Sequence, residues 1–145
     1  MPEYSNILFC TDFSHNADVA FEEASYIASL TGASLSLLHV IHGGVGETAR
    51  AVPESQRELE ESAVLGHLER AYPPGAASRR QMAVRRGNVT AEILEHAAET
   101  NAGVIVIGAR GIGRLEGFLG GGSIAERVAR NAKVPVVIVV THTHD

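Results

Sequence analysis

The sequence predicts an α/β fold: a five-stranded parallel sheet in the order 3-2-1-4-5, with helices on both faces. Three observations predict it. Short, wholly apolar, β-branched runs such as Val104-Ile105-Val106-Ile107 recur along the chain and read as buried strands. Segments with apolar residues at helical spacing stand between them, and strict alternation of this kind implies parallel pairing with covered faces. A glycine-rich stretch from Gly108 to Gly122 joins a strand to a helix start. Sheets of this class bind ligands at such a place, beyond the carboxyl ends of strands where the strand order reverses.

Taken in order, Ile7 to Cys10 is strand 1, and Thr11-Asp12-Phe13-Ser14 turns the chain. Ala17, Ala20, Phe21, Ala24, Ile27 and Ala28 then lie on one helical face, with Ser14 as N-cap and Gly32 ending the helix. Ala33 to Ile41 is strand 2. His42-Gly43-Gly44-Val45-Gly46 is a loop by composition. Pro53 opens helix 2, whose inward residues are expected to be Leu59, Ala63 and Leu68, and Tyr72-Pro73-Pro74-Gly75 stops it. Arg79 to Val84 is a more polar strand 3, suited to a sheet edge. Helix 3 runs from about Val89 to Thr100, with Ile93, Leu94, Ala97 and Ala98 on its apolar face. Strand 4 and the glycine loop follow, then helix 4 from Ser123, strand 5 over Val134 to Val140, and a polar tail from Thr141 to Asp145.

With 145 residues the chain is expected to be one domain, residues 1–145, large enough for a substantial core. A net charge of -5 argues against a general nucleic-acid or membrane-surface binder. A single cysteine excludes an internal disulfide and suits a reducing compartment. No apolar run approaches transmembrane length, and the N-terminus does not read as a signal peptide, so the expected location is cytoplasmic.

The stretch from Val104 to Arg127 carries the chemistry. The first amides of a helix lack intrahelical partners and point outward, and the dipole is positive there, which suits an anion. Glycines add unshielded amides, and Arg110, Arg114 and Arg127 lie within the stretch to pair with phosphate. Ser123 with Glu126 three residues on reads as a capping box. A flexible connection ahead of a well-capped helix explains the glycines as well as a phosphate loop does. If strands 1 and 4 are neighbours, Asp12, Val40 and Gly108 share one crevice.

Together these residues resemble the universal stress protein family over nearly the whole chain. The resemblance is carried by Ile7 to Ser14, by Leu37-Leu38-His39-Val40, by Gly87 followed by Ile93, and above all by Ile107-Gly108-Ala109-Arg110-Gly111, by Gly122 to Val128 and by Val134 to Val139. ATP-binding members of that family carry Gly, two residues, Gly, nine residues, then Gly-Ser or Gly-Thr. Here ten residues separate Gly111 from Gly122, so either the loop is one residue longer or Gly122 stands where Ser or Thr is expected.

The resemblance implies a Rossmann-like fold of the adenine nucleotide alpha hydrolase kind and a dimeric stress-response module that binds ATP, with Mg²⁺ on the triphosphate. Its site residues carry over as Thr11, Asp12, Val40, Ile107, Gly108, Arg110, Gly111, Gly121, Gly122, Ser123 and Ile124. In that assignment Asp12 with Thr11 faces adenosine and Val40 offers backbone groups to the adenine edge. Gly108 and Gly111 admit ribose and phosphates, and Gly122, Ser123 and Ile124 hold phosphate. It also implies a homodimer through the last strand, at Val136, Val137, Ile138 and Val139, and a regulatory protein partner of unknown identity.

Other patterns fit less well. Gly111, Gly113 and Gly117 approximate a dinucleotide fingerprint, but the loop is too long and comes too late in the chain; a Walker loop needs a lysine this stretch lacks. Cys10 is read as a small apolar residue closing strand 1, and His142 and His144 as part of a solvated tail. His39 and His42 have no thiol or carboxylate set at metal-ligand spacing. Arg79-Arg80 and Arg85-Arg86 read as a solvated edge. The function classes left open are an ATP-binding regulatory module, a dimeric interaction module without nucleotide, and a slow ATPase; no clear general base or nucleophile supports the last.

Overall fold

The computed structural model describes residues 4–43, 52–75, 79–110 and 123–141. The elements are β1 (Asn6–Cys10), α1 (His15–Thr31), β2 (Ser34–His42), α2 (Glu54–Ala71), β3 (Arg80–Gly87), α3 (Val89–Glu99), β4 (Val104–Arg110), α4 (Ile124–Asn131) and β5 (Val136–Thr141). All four strand pairings are parallel, in the order β3-β2-β1-β4-β5. This is the expected sheet, with β3 and β5 at its edges.

Residue alternation sorts the core into two layers. Ile7 and Phe9 of β1, with Leu35, Leu37, Val104 and Val106, pack under α1 and α2; Leu8 and Cys10, with Leu38, Val40, Ile105 and Ile107, pack under α3 and α4. The face of α1 next to the sheet is alanine-rich, with Ala17, Ala20, Ala24 and Ala28 all buried, which lets the helix lie close to β4. Ser14 caps α1 by accepting from the Ala17 amide at 3.2 Å, and Gly32 closes it at φ +73°, as the sequence anticipates.

Five expectations need correction. Leu59 is 71% exposed and Ala63 is exposed as well; Leu68 and Tyr72 are the buried residues at this end of α2. Leu59 and Leu68 are nine residues apart, about half a turn out of phase at 100° per residue, so both cannot face inward. Ala98 on α3 is likewise exposed, while Ile93 and Ala97 are buried.

The Arg85-Arg86 pair is not a solvated edge. Successive residues of β3 point to opposite faces. Arg85 binds Glu92 at 2.7 Å, Glu99 at 2.9 Å and Glu95 on α3, while Arg86 binds Glu60 at 2.6 Å on α2. A polar edge strand thus fastens one helix to each face through ion pairs.

Strand β4 extends to Arg110, so Gly108, Ala109 and Arg110 pair with Val139, Val140 and Thr141 of β5 rather than opening a loop. Finally, Thr141 belongs to β5 and not to a solvated tail. It is buried, and its hydroxyl donates to Oδ1 of Asn16 at the start of α1.

Candidate functional site

The carboxyl ends of β1, β2 and β4 open onto one crevice of about 650 Å³. Its walls come from each layer in turn. Cys10, Leu38, Val40 and Ile107 supply the sheet floor, Val89 and Ile93 of α3 one apolar side, and Ser123, Ile124, Ala125 and Arg127 the opposite, amide-bearing end. Asp12, Thr11 and His39 stand at the rim of β1 and β2. Strand order reverses here, since β2 lies on one side of β1 and β4 on the other.

The turn after β1 is held by hydrogen bonds from three elements. Thr11 N–H donates to Leu38 O at 2.9 Å, and Nδ1 of His39 lies 2.7 Å from Thr11 O. A carbonyl only accepts, so that nitrogen carries the proton and Nε2 of a neutral His39 is an acceptor. The Tyr72 hydroxyl donates to Oδ1 of Asp18 at 3.0 Å, so the 2.6 Å contact between Thr11 and Tyr72 is a bond donated by Thr11. The Thr11 oxygen accepts in turn from Phe13 N–H at 2.8 Å. Every polar group of Thr11 is therefore engaged within the protein.

This network supports an unusual backbone. Phe13 sits at φ +64°, a left-handed conformation that costs a bulky residue energy. Its ring stacks on His67 at 3.9 Å, packs against His39 at 4.8 Å, and lies 6.2 Å from Tyr72. The bend turns Asp12 to the crevice. One of its oxygens accepts from Ser14 N–H at 3.0 Å, which leads the chain into α1.

Burial fixes the protonation of two nearby groups. Burial pushes the Tyr72 hydroxyl up to about 12, helped by the carboxylate of Asp18 and opposed by the bond from Thr11. The Cys10 thiol is pushed well above its usual value by burial alone, so it is a neutral apolar wall and not a nucleophile.

The residues expected at the site divide into three groups. Thr11, Asp12, Val40, Ile107, Gly108, Ser123 and Ile124 all line the crevice. Gly108 has a further reason to be glycine: a Cβ there would meet the backbone of Asn16 in α1. Arg110 closes β4, and of its side chain nothing is described. Gly111, Gly121 and Gly122 lie outside the described residues, as do Arg114 and the two tail histidines. Sequence reasoning missed Tyr72, Asp18, Phe13 and His39 as supports of the turn. Only His39 carried a local signal, its place immediately before Val40.

At the far end, Ser123 caps α4. Its Oγ accepts from Glu126 N–H at 3.2 Å, and Oε1 of Glu126 accepts from Ser123 N–H at 2.9 Å, the reciprocal box the sequence predicts. A helix start facing a crevice with an apolar floor can take a ligand with a flat apolar body and an anionic end.

The model of the universal stress protein family matches residues 3–140. The chain belongs to this family. A universal stress protein named from Staphylococcus haemolyticus is 28% identical over 146 residues, covering 97% of this chain and 87% of that one. A solved universal stress protein in complex with cAMP superimposes with a TM-score of 0.68 at 23% identity, covering 94% of this chain and 97% of the other. That of Archaeoglobus fulgidus, in complex with dAMP, gives 0.58 at 22%, covering 96% and 99%. At such identities the likeness is one of fold, and the ligands are those of the solved proteins.

Proposed function

We propose that this chain is an ATP-binding regulatory module of the stress response, acting as a cytoplasmic homodimer with a regulatory protein partner. The observation that carries the proposal is the crevice itself. An apolar floor of Val40 and Ile107 with Ile93 at its side fits an adenine base, Asp12 lies at the rim for a ribose, and the amides at the start of α4 lie at the opposite end for phosphate. Two structural neighbours hold adenine nucleotides, which supports the same ligand class. Among the described residues no group of three or more His, Cys, Asp or Glu side chains could hold a metal ion. In this reading Mg²⁺ enters on the phosphates of ATP, which supply its oxygen ligands. Among the same residues no helix is long and apolar enough to cross a membrane.

The test is calorimetry with protein freed of nucleotide. Wild type should bind ATP with Mg²⁺. Asp12→Asn keeps an acceptor for Ser14 N–H and removes the charge, so it should fold normally and bind adenosine about tenfold more weakly, the scale of a lost charged hydrogen bond. No binding of any adenine nucleotide at millimolar concentration would assign the chain to the nucleotide-free interaction class. Turnover of bound ATP in the same samples would support the slow ATPase instead.

A further inference from the structure

We infer that Glu126 sets how much phosphate charge the crevice accepts, by competing with the ligand for the start of α4. The inference rests on the nucleotide-binding proposal and concerns the specificity of that same site. The amide expected to meet phosphate is that of Ser123. In the structure it already donates to Oε1 of Glu126 at 2.9 Å, and the Ser123 oxygen already accepts from Glu126 N–H at 3.2 Å. The protein's own carboxylate therefore occupies part of the place an anion would take.

Of the four amides from Ser123 to Glu126, two are held in the box. Among the described residues those of Ile124 and Ala125 meet no acceptor, and both residues line the crevice. The positive end of the helix attracts the carboxylate and a phosphate alike. A singly charged phosphodiester can use the two remaining amides and leave the box closed. A triphosphate brings several more negative charges against Glu126, or must displace it from Ser123. Repulsion grows with each charge added and is screened by salt or by a bound cation. Affinity should then rise less steeply with phosphate number than a bare helix start would give.

The charge can be removed without losing the cap, because the box is formed by glutamine as well as by glutamate. Calorimetry would compare full-length wild type with Glu126→Gln, using adenosine, AMP, ATP with and without Mg²⁺, and inorganic tripolyphosphate. Adenosine should bind both proteins equally. ATP without Mg²⁺ should bind Glu126→Gln about tenfold more tightly, with AMP gaining less, and the difference should shrink in high salt or with Mg²⁺. Glu126→Ala, which loses both charge and cap, should melt lower yet still bind tripolyphosphate more tightly than wild type. Equal affinities of wild type and Glu126→Gln across the series would overturn the inference. If neither AMP nor ATP binds either protein, the nucleotide proposal fails on its own. Tripolyphosphate then decides the role of Glu126: tighter binding to the glutamine variant upholds the competition, and equal or absent binding ends it.

Discussion

Gly108 of β4 lies against the backbone of Asn16 in the first turn of α1. A Cβ built on this glycine would meet the Asn16 carbonyl oxygen, with the carbonyl carbon at 2.7 Å and Ala17 N at 3.2 Å. Asn16 is also tied by its side chain to Thr141 at the end of β5, whose hydroxyl lies 3.3 Å from Ala109 O. One glycine thus sets the spacing between the sheet and the helix that follows the aspartate turn. Gly108→Ala should push α1 outward, costing about 1–3 kcal/mol as overpacking against backbone does. Urea unfolding would measure it, and a variant as stable as wild type would show that α1 yields freely.

This position shows what the sequence could and could not reveal. The strand order, the helix caps at Ser14 and Ser123, and part of the crevice lining were legible, because alternation, capping residues and turn glycines are local signals. The close approach behind Gly108 was not, since it depends on a helix over 90 residues earlier in the chain. The same holds for Tyr72, which reads locally as the residue before two prolines and serves as an anchor for Thr11. The ion pairs of Arg85 and Arg86 were hidden for another reason: a charged strand reads as solvated until the helices above and below it supply glutamates.

Tyr72→Phe tests the support of the aspartate turn. The ring contacts with Phe9, at 5.2 Å, and Phe21, at 4.8 Å, should survive, while Thr11 and Asp18 lose their shared partner. A cost of about 1–2 kcal/mol is expected in urea unfolding. The pH dependence has a definite sign. The folded hydroxyl titrates at about 12 against an ordinary value of 10.0, so folding favours the protonated form. Its contribution is complete below pH 10 and is lost as the pH rises from 10 towards 12. Wild type should lose stability over that window more steeply than Tyr72→Phe; parallel curves would show that Tyr72 does not titrate there.

Arg85 and His96 give a prediction on the acid side. Nη1 of Arg85 lies 3.3 Å from Nδ1 of His96, amid contacts to Glu92, Glu95 and Glu99. Burial, then the Arg85 charge, hold the His96 imidazole below its ordinary value, and Glu99 only partly offsets them. A depressed histidine stabilises the fold above its unfolded value, near 6.5, and that stability is lost as the pH falls through and below this point. Melting temperature should therefore fall from pH 7 to pH 5 more steeply in wild type than in His96→Gln. Arg85→Met should release α3 from β3, lowering stability by about 1–2 kcal/mol, since Glu95 and Glu99 are largely solvated and their pairs are screened.

The proposed homodimer yields the last prediction, and the sheet register sharpens its test. Ile105 N–H donates to Pro135 O at 3.0 Å, and in a parallel ladder every second residue of a strand turns its backbone to the same neighbour. Val137 and Val139 therefore face β4, while Val136, Ile138 and Val140 turn their N–H and C=O groups to the open edge. Val137 and Val139 also pack beneath α1, so a charge at either would disturb the core as well as any interface. Val140 is the better probe. It is 37% exposed, and its outward N–H can be removed by proline without breaking the ladder to β4. In an antiparallel twofold pairing centred on Ile138, Val140 of one protomer bonds Val136 of its partner, so one substitution removes two bonds by symmetry. Wild type should sediment as a dimer at tens of micromolar, and Val140→Pro as a folded monomer with unchanged circular dichroism. A monomeric wild type at that concentration would refute the dimer, and a dimeric Val140→Pro would move the interface away from β5.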